Sequence, residues 1–184
     1  QEVERDVPAD AIYKAWHMCG RTDPEYHTTD LISDVLGNGN SSRFFHRLVK
    51  DEKLFSELDA YIMGSFDKGL FVVSGKPASG VSIEQAEAAI NNQMEEIAKN
   101  PPGTGELQKV KNKIESTLVF SRMNVLDKAI NLAYAEVLGD AGLVNQEAEK
   151  YRAVTPEIFH ETAQRIFRPE NCSTLIYKSK NGNK

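Results

Sequence analysis

The chain has 184 residues, of which 40% are apolar and 27% charged, and its formal net charge is −5 at pH 7. This composition is typical of a globular protein, and the negative charge argues against nucleic-acid binding. No apolar run reaches the length of a membrane span. We expect one domain over residues 1–178 and a disordered polar tail over residues 179–184. Because the first residue is Gln1 and not Met, we also expect a mature protein or an excised fragment.

Strand patterns dominate the first half of the chain. Runs of alternating or continuous apolar residues predict strands over residues 11–19, 58–65 and 70–75. Between the last two strands, the sequence 67–69 reads Asp-Lys-Gly, which predicts a hairpin turn.

A helix, a tight turn and a second helix are predicted after the first strand. Asp23 would cap the first helix and Pro24 would occupy its first position. The apolar face of this helix comprises Leu31, Ile32, Val35 and Leu36. Gly37 is the expected left-handed terminator, and Ser41 or Ser42 would cap the second helix. Taken alone, the segment is typical of an ordinary helix-turn-helix corner.

Helix patterns dominate the second half. Ser82 opens a capping box, followed by apolar residues at helical spacing: Ile83, Ala86, Ile90, Met94 and Ile97. A long helical region over 106–138 carries two apolar stripes, formed by Leu107, Val110, Ile114 and Leu118 and then by Leu126, Ile130, Ala133 and Val137. Thr155 and Pro156 open a last helix, and a strand over 173–177 follows. A few strands mixed with long helices indicate a two-layer α+β domain with helices on one face of a sheet.

The sequence contains no complete metal-binding motif of the zinc hydrolase type. A His-x-x-Glu-His helix brings two imidazoles to one zinc ion with the glutamate as general base, but none of the four histidines begins this pattern. Residues 160–164 resemble the related motif His-Glu-x-x-His, but Gln164 stands in place of the second histidine. One imidazole and one carboxylate make a poor zinc site, so a solvated helix face is the simpler interpretation. We expect His17 to be packed or hydrogen-bonded and His46 to lie on the surface.

Nucleophilic catalysis is not indicated either. Cys19 and Cys172 have no local base and are expected to be small buried apolar residues, with a disulfide between them as the alternative. The basic run over residues 109–113 is expected to be a solvated helix face. The sequence therefore assigns no catalytic residue and no metal ligand.

Seven segments in a fixed order carry a resemblance to a known family: residues 2–8, 11–19, 20–26, 36–43, 135–140, 151–157 and 168–172. Together they resemble the C-terminal, non-metal-binding domain of the zinc peptidases of the pitrilysin, insulysin and mitochondrial processing peptidase family. The resemblance covers nearly the whole chain. It implies a mixed, mainly antiparallel sheet with long helices packed on one face.

The resemblance also implies a function and partners. The domain would be non-catalytic, would pack against a metal-binding sister domain of the same or a partner polypeptide, and would form part of a chamber around a peptide. Zinc is expected in the sister domain only, with no cofactor in this chain. An edge strand or the glycine loop is the candidate contact with substrate or partner; the loop comprises Gly37, Asn38, Gly39, Asn40, Ser41, Ser42 and Arg43. Isolated, the domain is expected to self-associate.

Two positions depart from the family pattern. In the family, the helix after the glycine loop can supply an arginine and, seven residues later, a tyrosine that help hold the substrate. These positions fall at Val49 and Ser56 here, and Arg47 is out of register because a shift of two residues turns a helical side chain by roughly 200°. Tyr61 is also out of register. Two alternatives therefore stay open: a degenerate homologue with a purely structural role in a larger complex, and a stand-alone enzyme with an unrecognised site.

Overall fold

The computed structural model describes residues 1–180 and contains five strands and six α-helices in that range. The strands are β1 (Glu2–Arg5), β2 (Ala11–Met18), β3 (Phe55–Met63), β4 (Gly69–Pro77) and β5 (Cys172–Ser179). The helices are α1 (Tyr26–Gly37), α2 (Ile83–Lys99), α3 (Thr104–Ser121), α4 (Val125–Val137), α5 (Glu147–Arg152) and α6 (Pro156–Ile166). Shorter elements are a π-helix (Phe45–Asp51) and two 3₁₀-helices (Ala141–Asn145 and Pro169–Asn171).

The strands form one sheet in the order β1-β5-β2-β4-β3. β1 pairs with β5 in parallel, and the other three pairings are antiparallel. The sheet is therefore mixed and mainly antiparallel, which confirms the predicted α+β fold class. The edges of the sheet are β1 and β3.

The core lies between the sheet and the helices that cover one of its faces. Burial alternates along β2, so that Ile12, Trp16 and Met18 face this core. Trp16 and Phe71 both pack edge-to-face against Phe167, with ring centroids 5.4 and 4.9 Å apart. Such edge-to-face pairs add specific geometry to the burial of apolar surface.

The opposite face of the sheet is only partly shielded by the described residues. Tyr13, Tyr61 and Met63 lie on it and are 39%, 42% and 56% exposed. Tyr13 packs edge-to-face on Tyr177 across β2 and β5 at 5.9 Å. This open face therefore carries an aromatic and apolar stripe on the side away from the core.

Two helix starts follow directly from local sequence and are confirmed. The hydroxyl of Ser82 accepts a hydrogen bond from the backbone N–H of Gln85 at 3.1 Å, which caps α2. The hydroxyl of Thr155 accepts one from the N–H of Ile158 at 3.3 Å, which caps α6. Three apolar residues of α6 are buried: Phe159, Ala163 and Ile166.

The predicted start of the first helix is wrong by two residues. α1 begins at Tyr26, and its N-cap position has no side-chain hydrogen bond. Asp23 instead accepts a hydrogen bond from the backbone N–H of Gly20 at 2.8 Å. Because its carboxylate closes the preceding loop, it is not free to cap the helix.

The predicted long helix over 106–138 is two helices. α3 ends at Ser121, and the side chain of Asn124 accepts a hydrogen bond from the N–H of Leu126 at 2.9 Å, which caps α4. An N-cap asparagine inside a continuous apolar pattern is the local signal that marks this break.

At the C-terminal end, β5 continues through Ser179, the first residue of the predicted tail. The backbone N–H of Ser179 donates to Asp10 Oδ1 at 2.8 Å, so this residue belongs to the folded domain. The rest of the tail prediction falls mainly on residues 181–184, which lie outside the described residues. Over residues 1–180, no helix has both the length and the apolarity that a membrane crossing requires.

Candidate functional site

The glycine loop reverses the chain between α1 and the π-helix, and its two glycines have different structural roles. Gly37 is not left-handed, which corrects the prediction that it terminates α1 in that conformation. Gly39 is the left-handed residue, with φ 85°. An ideal Cβ on Gly37 would lie 2.8 Å from Ala60 Cα and closer still to the Ala60 nitrogen, so α1 contacts β3 backbone to backbone there. Gly37 is therefore required for close packing of the helix on the sheet.

The segment after the loop begins with a serine cap. Ser42 is buried, and its hydroxyl accepts a weak hydrogen bond from the backbone N–H of Phe45 at 3.4 Å, which selects it over Ser41 as the cap. Phe44 and Leu48 then insert into the core. The turn is wound as a π-helix, an uncommon geometry that is frequent at functional sites.

Helix α3 clamps the loop from the side. Arg43 donates two hydrogen bonds to the Glu106 carboxylate, at 3.0 and 2.8 Å. Lys109 Nζ donates to the Ser41 carbonyl at 3.0 Å, and Lys113 Nζ lies 3.4 Å from the Asn38 carbonyl. Lys109 and Lys113 are exposed, as predicted for a solvated face over 109–113, but their ammonium groups also hold loop carbonyls.

Sequence reasoning missed this clamp, although a signal was present. Glu106, Lys109 and Lys113 are spaced three and four residues apart, which places them on one side of a helix. Of the candidate loop residues, Arg43 is engaged and Gly37 and Ser42 are buried. The exposed tip comprises Asn38, Gly39, Asn40 and Ser41.

Lys111, in the middle of the same basic run, is buried. Its Nζ donates to the backbone carbonyls of Arg152, at 2.9 Å, and Val154. Burial lowers the pKa of this ammonium, and the negative charge of Glu115 partly opposes the shift. Lys111 thus joins α3 to the end of α5 through hydrogen bonds that water cannot easily replace.

We expect Lys111→Met to destabilise the domain by about 2–3 kcal/mol, because one buried and one partly buried carbonyl lose their donor. The free energy of unfolding, measured by denaturant titration, checks this. Lys99→Met is the matched control, since Lys99 pairs only with Glu95 on the surface and should change stability by about 0.5 kcal/mol or less. Equal stability of Lys111→Met and the wild type would contradict the assignment.

The four histidines do not converge. His17 is exposed, so of the two roles expected for its side chain, packed or hydrogen-bonded, packing is not realised, while His46 is exposed as predicted. His160 Nε2 lies 3.0 Å from Gln164 Nε2 at the position where a second zinc-binding histidine would stand. Within residues 1–180 no group of three or more His, Cys, Asp or Glu side chains could hold a metal ion. The described residues of this chain therefore offer no set of side chains that fits a zinc ion. The resemblance places that ion in a sister domain.

Both cysteines are free thiols and half-buried, so the alternative of a disulfide is not realised. Burial raises the pKa of the Cys19 thiol, and nearby carboxylates of Glu25 and Asp23 add to the shift. Burial also raises the pKa of Cys172, against the opposing charge of Lys14. Neither thiol is activated as a nucleophile, because the thiolate is the reactive form.

A charged and aromatic cluster that the sequence did not reveal joins α1 to α5. Arg21 donates to Glu147 at 2.7 Å, and His27 Nε2 lies 3.1 Å from the same carboxylate oxygen. Tyr151 donates to Asp30 at 2.6 Å. These partners are more than a hundred residues apart in the chain, so no local pattern announces them.

The pKa values in this cluster follow from burial and pairing. Burial alone would raise the pKa of Glu147, but the hydrogen bond from His27 and the charge of Arg21 outweigh it and hold the pKa at about 2. Burial raises the pKa of Asp30, although the hydrogen bond from Tyr151 opposes this. Burial and the neighbouring Asp30 raise the pKa of Tyr151, so its hydroxyl stays a donor.

We expect Glu147 to stabilise the fold above its ordinary pKa of 4.5 and to lose that contribution as the pH falls towards 2. The sign follows because the folded pKa lies below the unfolded one, so protonation favours unfolding. Glu147→Gln should be less stable than the wild type at neutral pH by up to about 3 kcal/mol. Urea unfolding of both proteins from pH 2 to pH 7 checks this, and a stability difference that does not shrink towards pH 2 would contradict it.

Helix α4 stands apart from the core. Only its Ala135 is buried, and its predicted apolar stripe faces away from the domain. Along this stripe Leu126, Ile130 and Val137 are 65%, 55% and 71% exposed. The adjoining end of α3 adds Val119 and Phe120, at 60% and 68%. Large exposed apolar side chains gathered on adjoining helices are typical of interaction surfaces.

Comparison with known proteins decides the family. The family model described as the Peptidase M16 inactive domain matches residues 2–114, more than half of the chain. The chain belongs to the M16 peptidase family, as an inactive domain. This confirms the predicted family and the non-metal-binding type of domain. No curated protein sequence matches the chain.

Solved structures of similar fold include larger proteases and a separate domain. A protease from Helicobacter pylori is 19% identical with a TM-score of 0.90, and the match covers 96% of this chain and 43% of that one. The inactive peptidase domain of a provisionally assigned zinc protease from Bordetella parapertussis is also 19% identical, with a TM-score of 0.84, covering 96% and 94%. The periplasmic protease PqqL from Escherichia coli is 12% identical, with a TM-score of 0.77, covering 98% and 20%. The M16 chain thus spans less than half of the two longer proteases.

The two positions where the resemblance places the family's arginine and tyrosine are occupied by residues that are engaged within the domain. Val49 packs partly buried against the core, and the Ser56 hydroxyl donates to the Lys76 carbonyl at 3.2 Å. Arg47 pairs with Glu96 on α2. Arg47 is therefore committed to the helix layer, which agrees with the expectation that it does not replace the family arginine.

Proposed function

We propose that this M16 domain is a non-catalytic part of a zinc metallopeptidase, packs against a metal-binding sister domain and forms part of the chamber that encloses the peptide. The observation that carries the proposal is the outward apolar stripe of α4. Leu126, Ile130 and Val137 repeat at helical spacing, yet they are exposed and lie outside the core formed by residues 1–180. A stripe with the pattern of a buried helix face and no internal partner is suited to a protein partner.

The greater length of the similar proteases indicates which part of the protein could be this partner. Some solved proteases of this fold are more than twice as long as the part that this chain matches. A sister domain in the same or a partner polypeptide would then cover the stripe. Burial of each large apolar side chain of α4 would favour association by about 1.5–3 kcal/mol.

The open face of the sheet is a second surface for the same partner. Tyr61 and Met63 lie there on the edge strand β3, and Tyr13 lies there on β2. A partner that covers both this face and α4 would bury apolar area on two sides of the domain. Such a large interface fits a permanent neighbour better than a transient one.

The tip of the glycine loop is the proposed contact with peptide or partner. Lys109 and Lys113 fix the carbonyls of Ser41 and Asn38, while the side chain of Asn40 at the tip is exposed. A loop held by its base presents its exposed polar tip in a defined position. Edge strand β3 is the other candidate, because an unpaired edge can bind an extended peptide as an added strand.

A second candidate function is a structural or assembly role in a complex that has lost peptidase activity. The observation that favours it is the presence of Val49 and Ser56, both engaged within the domain, at the positions where the family supplies arginine and tyrosine. The two functions differ in the sister domain: a zinc-loaded His-x-x-Glu-His helix supports the peptidase, and its absence supports assembly.

The test of sister-domain packing is association in solution. The chain and the metal-binding domain of its parent protein, produced separately, should form a one-to-one complex by sedimentation velocity. Alone, the chain should show a concentration-dependent monomer–dimer equilibrium, because self-association hides the same apolar surface. The sister domain should compete with that dimer. A chain that stays monomeric at high micromolar concentration and ignores the metal-binding domain would contradict the proposal.

A further inference from the structure

A pocket of about 420 Å³ lies beneath α4, on the side opposite its outward stripe. Its floor is formed by Arg21, Glu147 and Tyr151 of the charged cluster described above. The walls come from the end of α3, the inner side of α4 and the 3₁₀-helix Ala141–Asn145. The volume falls in the range of pockets that hold small ligands.

The charges around this pocket differ from those of the whole chain. Its lining contains three basic side chains, Arg21, Arg122 and Lys128, and one carboxylate, Glu147, whereas the chain carries a net charge of −5. Arg21 is neutralised by Glu147, and Arg122 donates to the Val144 carbonyl at 2.9 Å. The Lys128 ammonium makes no hydrogen bond or ion pair with any residue of the described chain. The free ammonium therefore favours an anionic group.

The neutral polar groups narrow the choice of ligand. The carboxamides of Asn131 and Asn145 line the pocket, and neither is hydrogen-bonded within residues 1–180. A carboxamide both donates and accepts, so two of them match the N–H and C=O of a peptide group better than a hydrocarbon chain. The rest of the lining is mainly apolar and includes Leu118, Leu132, Leu138, Leu143 and Val144, together with Ser121, Tyr134 and Ala135.

We infer that this pocket binds the C-terminal end of a short peptide. The α-carboxylate pairs with Lys128, the last peptide groups contact Asn131 and Asn145, and an apolar C-terminal side chain packs on the leucine wall. The inference goes beyond the proposed function, because it requires only this chain and neither the sister domain nor zinc. It assigns a ligand to the inner side of α4, while the outward stripe remains the partner surface.

The probe is an N-acetylated tripeptide ending in Leu-Phe, as the free acid and as the C-terminal amide, titrated into the chain by calorimetry. The free acid should bind, and the amide should bind about tenfold more weakly, as expected for loss of a charged hydrogen bond. Lys128→Gln should reduce the difference between acid and amide to less than about twofold. Lys68→Gln is the control, since Lys68 is exposed in the turn between β3 and β4 and distant in sequence from the pocket lining.

One further variant and one further ligand complete the test. Asn131→Phe fills the pocket from an exposed helix position and should abolish binding without lowering the melting temperature. Decanoate, which has a carboxylate but no peptide group, should bind more weakly than the tripeptide acid. No binding of the acid up to millimolar concentration, equal binding of acid and amide, unchanged binding by Asn131→Phe, or tighter binding of decanoate would each overturn the inference.

Discussion

The double variant Leu126→Glu/Ile130→Glu is expected to lose association with the metal-binding domain while the fold stays intact. Both residues lie on the outward stripe of α4 and are more than half exposed in the isolated domain. Burial of two such side chains contributes roughly 3–6 kcal/mol, so replacing them by charged residues should weaken the complex by more than about a hundredfold. Sedimentation velocity of the mixture measures this change. The melting temperature of the variant should remain close to that of the wild type, because neither side chain packs in the core.

A matched control separates the α4 stripe from exposed apolar surface in general. Ile158 on α6 is 43% exposed but lies outside the stripe, so Ile158→Glu should leave the dissociation constant unchanged. If Ile158→Glu weakens association as much as the double variant does, the interface lies elsewhere. If the double variant binds as tightly as the wild type, α4 is not the partner surface.

Gly37→Val is expected to be the most destabilising single substitution in the glycine loop. The added side chain would meet the backbone of Ala60 in β3, where neither the helix nor the strand can move without breaking its own hydrogen bonds. Overpacking of this kind costs about 3 kcal/mol or more. For a domain of this size the melting temperature should fall by about 6–12 °C. Thermal unfolding followed by circular dichroism checks the result.

Two other glycines serve as controls for Gly37. Gly39→Ala should cost about 1–2 kcal/mol, because φ is 85° there while the space around it is open. Gly105→Ala should be neutral or stabilise by about 0.5–1 kcal/mol, since it lies in α3 with no atom within 4 Å of the added Cβ. A melting temperature of Gly37→Val that equals the wild-type value would show that α1 and β3 are not in close contact.

The parts of the fold that could be predicted depend on local chemistry. Ser82 and Thr155 cap helices because their hydroxyls reach backbone N–H groups only three residues ahead. Asp23 has the same local signal, but its carboxylate bonds to Gly20 in the loop before the helix. A cap signal therefore identifies a helix start only when no other backbone donor nearby competes for the side chain.

The parts that could not be predicted depend on contacts between distant segments. Position 37 requires glycine because a Cβ there would meet the backbone of Ala60 in β3. The sequence suggested a different reason, a left-handed turn at Gly37. Lys111 is a charged residue in a basic run, which predicts a solvated side chain, yet it is buried against the end of α5. The helical spacing of apolar residues in α4 was evident from the sequence. That spacing does not determine whether the stripe faces the core of its own domain or a partner.

The same distinction holds for the candidate site. The glycine loop was located from sequence, because a helix stop, glycines and serine caps stand next to each other. The clamp that holds it required the position of α3, which brings Glu106 to Arg43 across 63 residues. The cluster of Arg21 and Glu147 required α5, a short helix that the sequence did not indicate.

The measurement that tests the central claim most directly is peptidase activity reconstituted from separate domains, with zinc counted in each. This chain, washed with chelator, should hold no stoichiometric zinc and should cleave no peptide. The metal-binding domain should hold one zinc ion and show little activity alone, and an equimolar mixture should cleave peptides. That gain should be lost with Leu126→Glu/Ile130→Glu and kept with Ile158→Glu. One tightly bound zinc per chain, peptide cleavage by this chain alone, or full activity of the metal-binding domain without it would contradict the account.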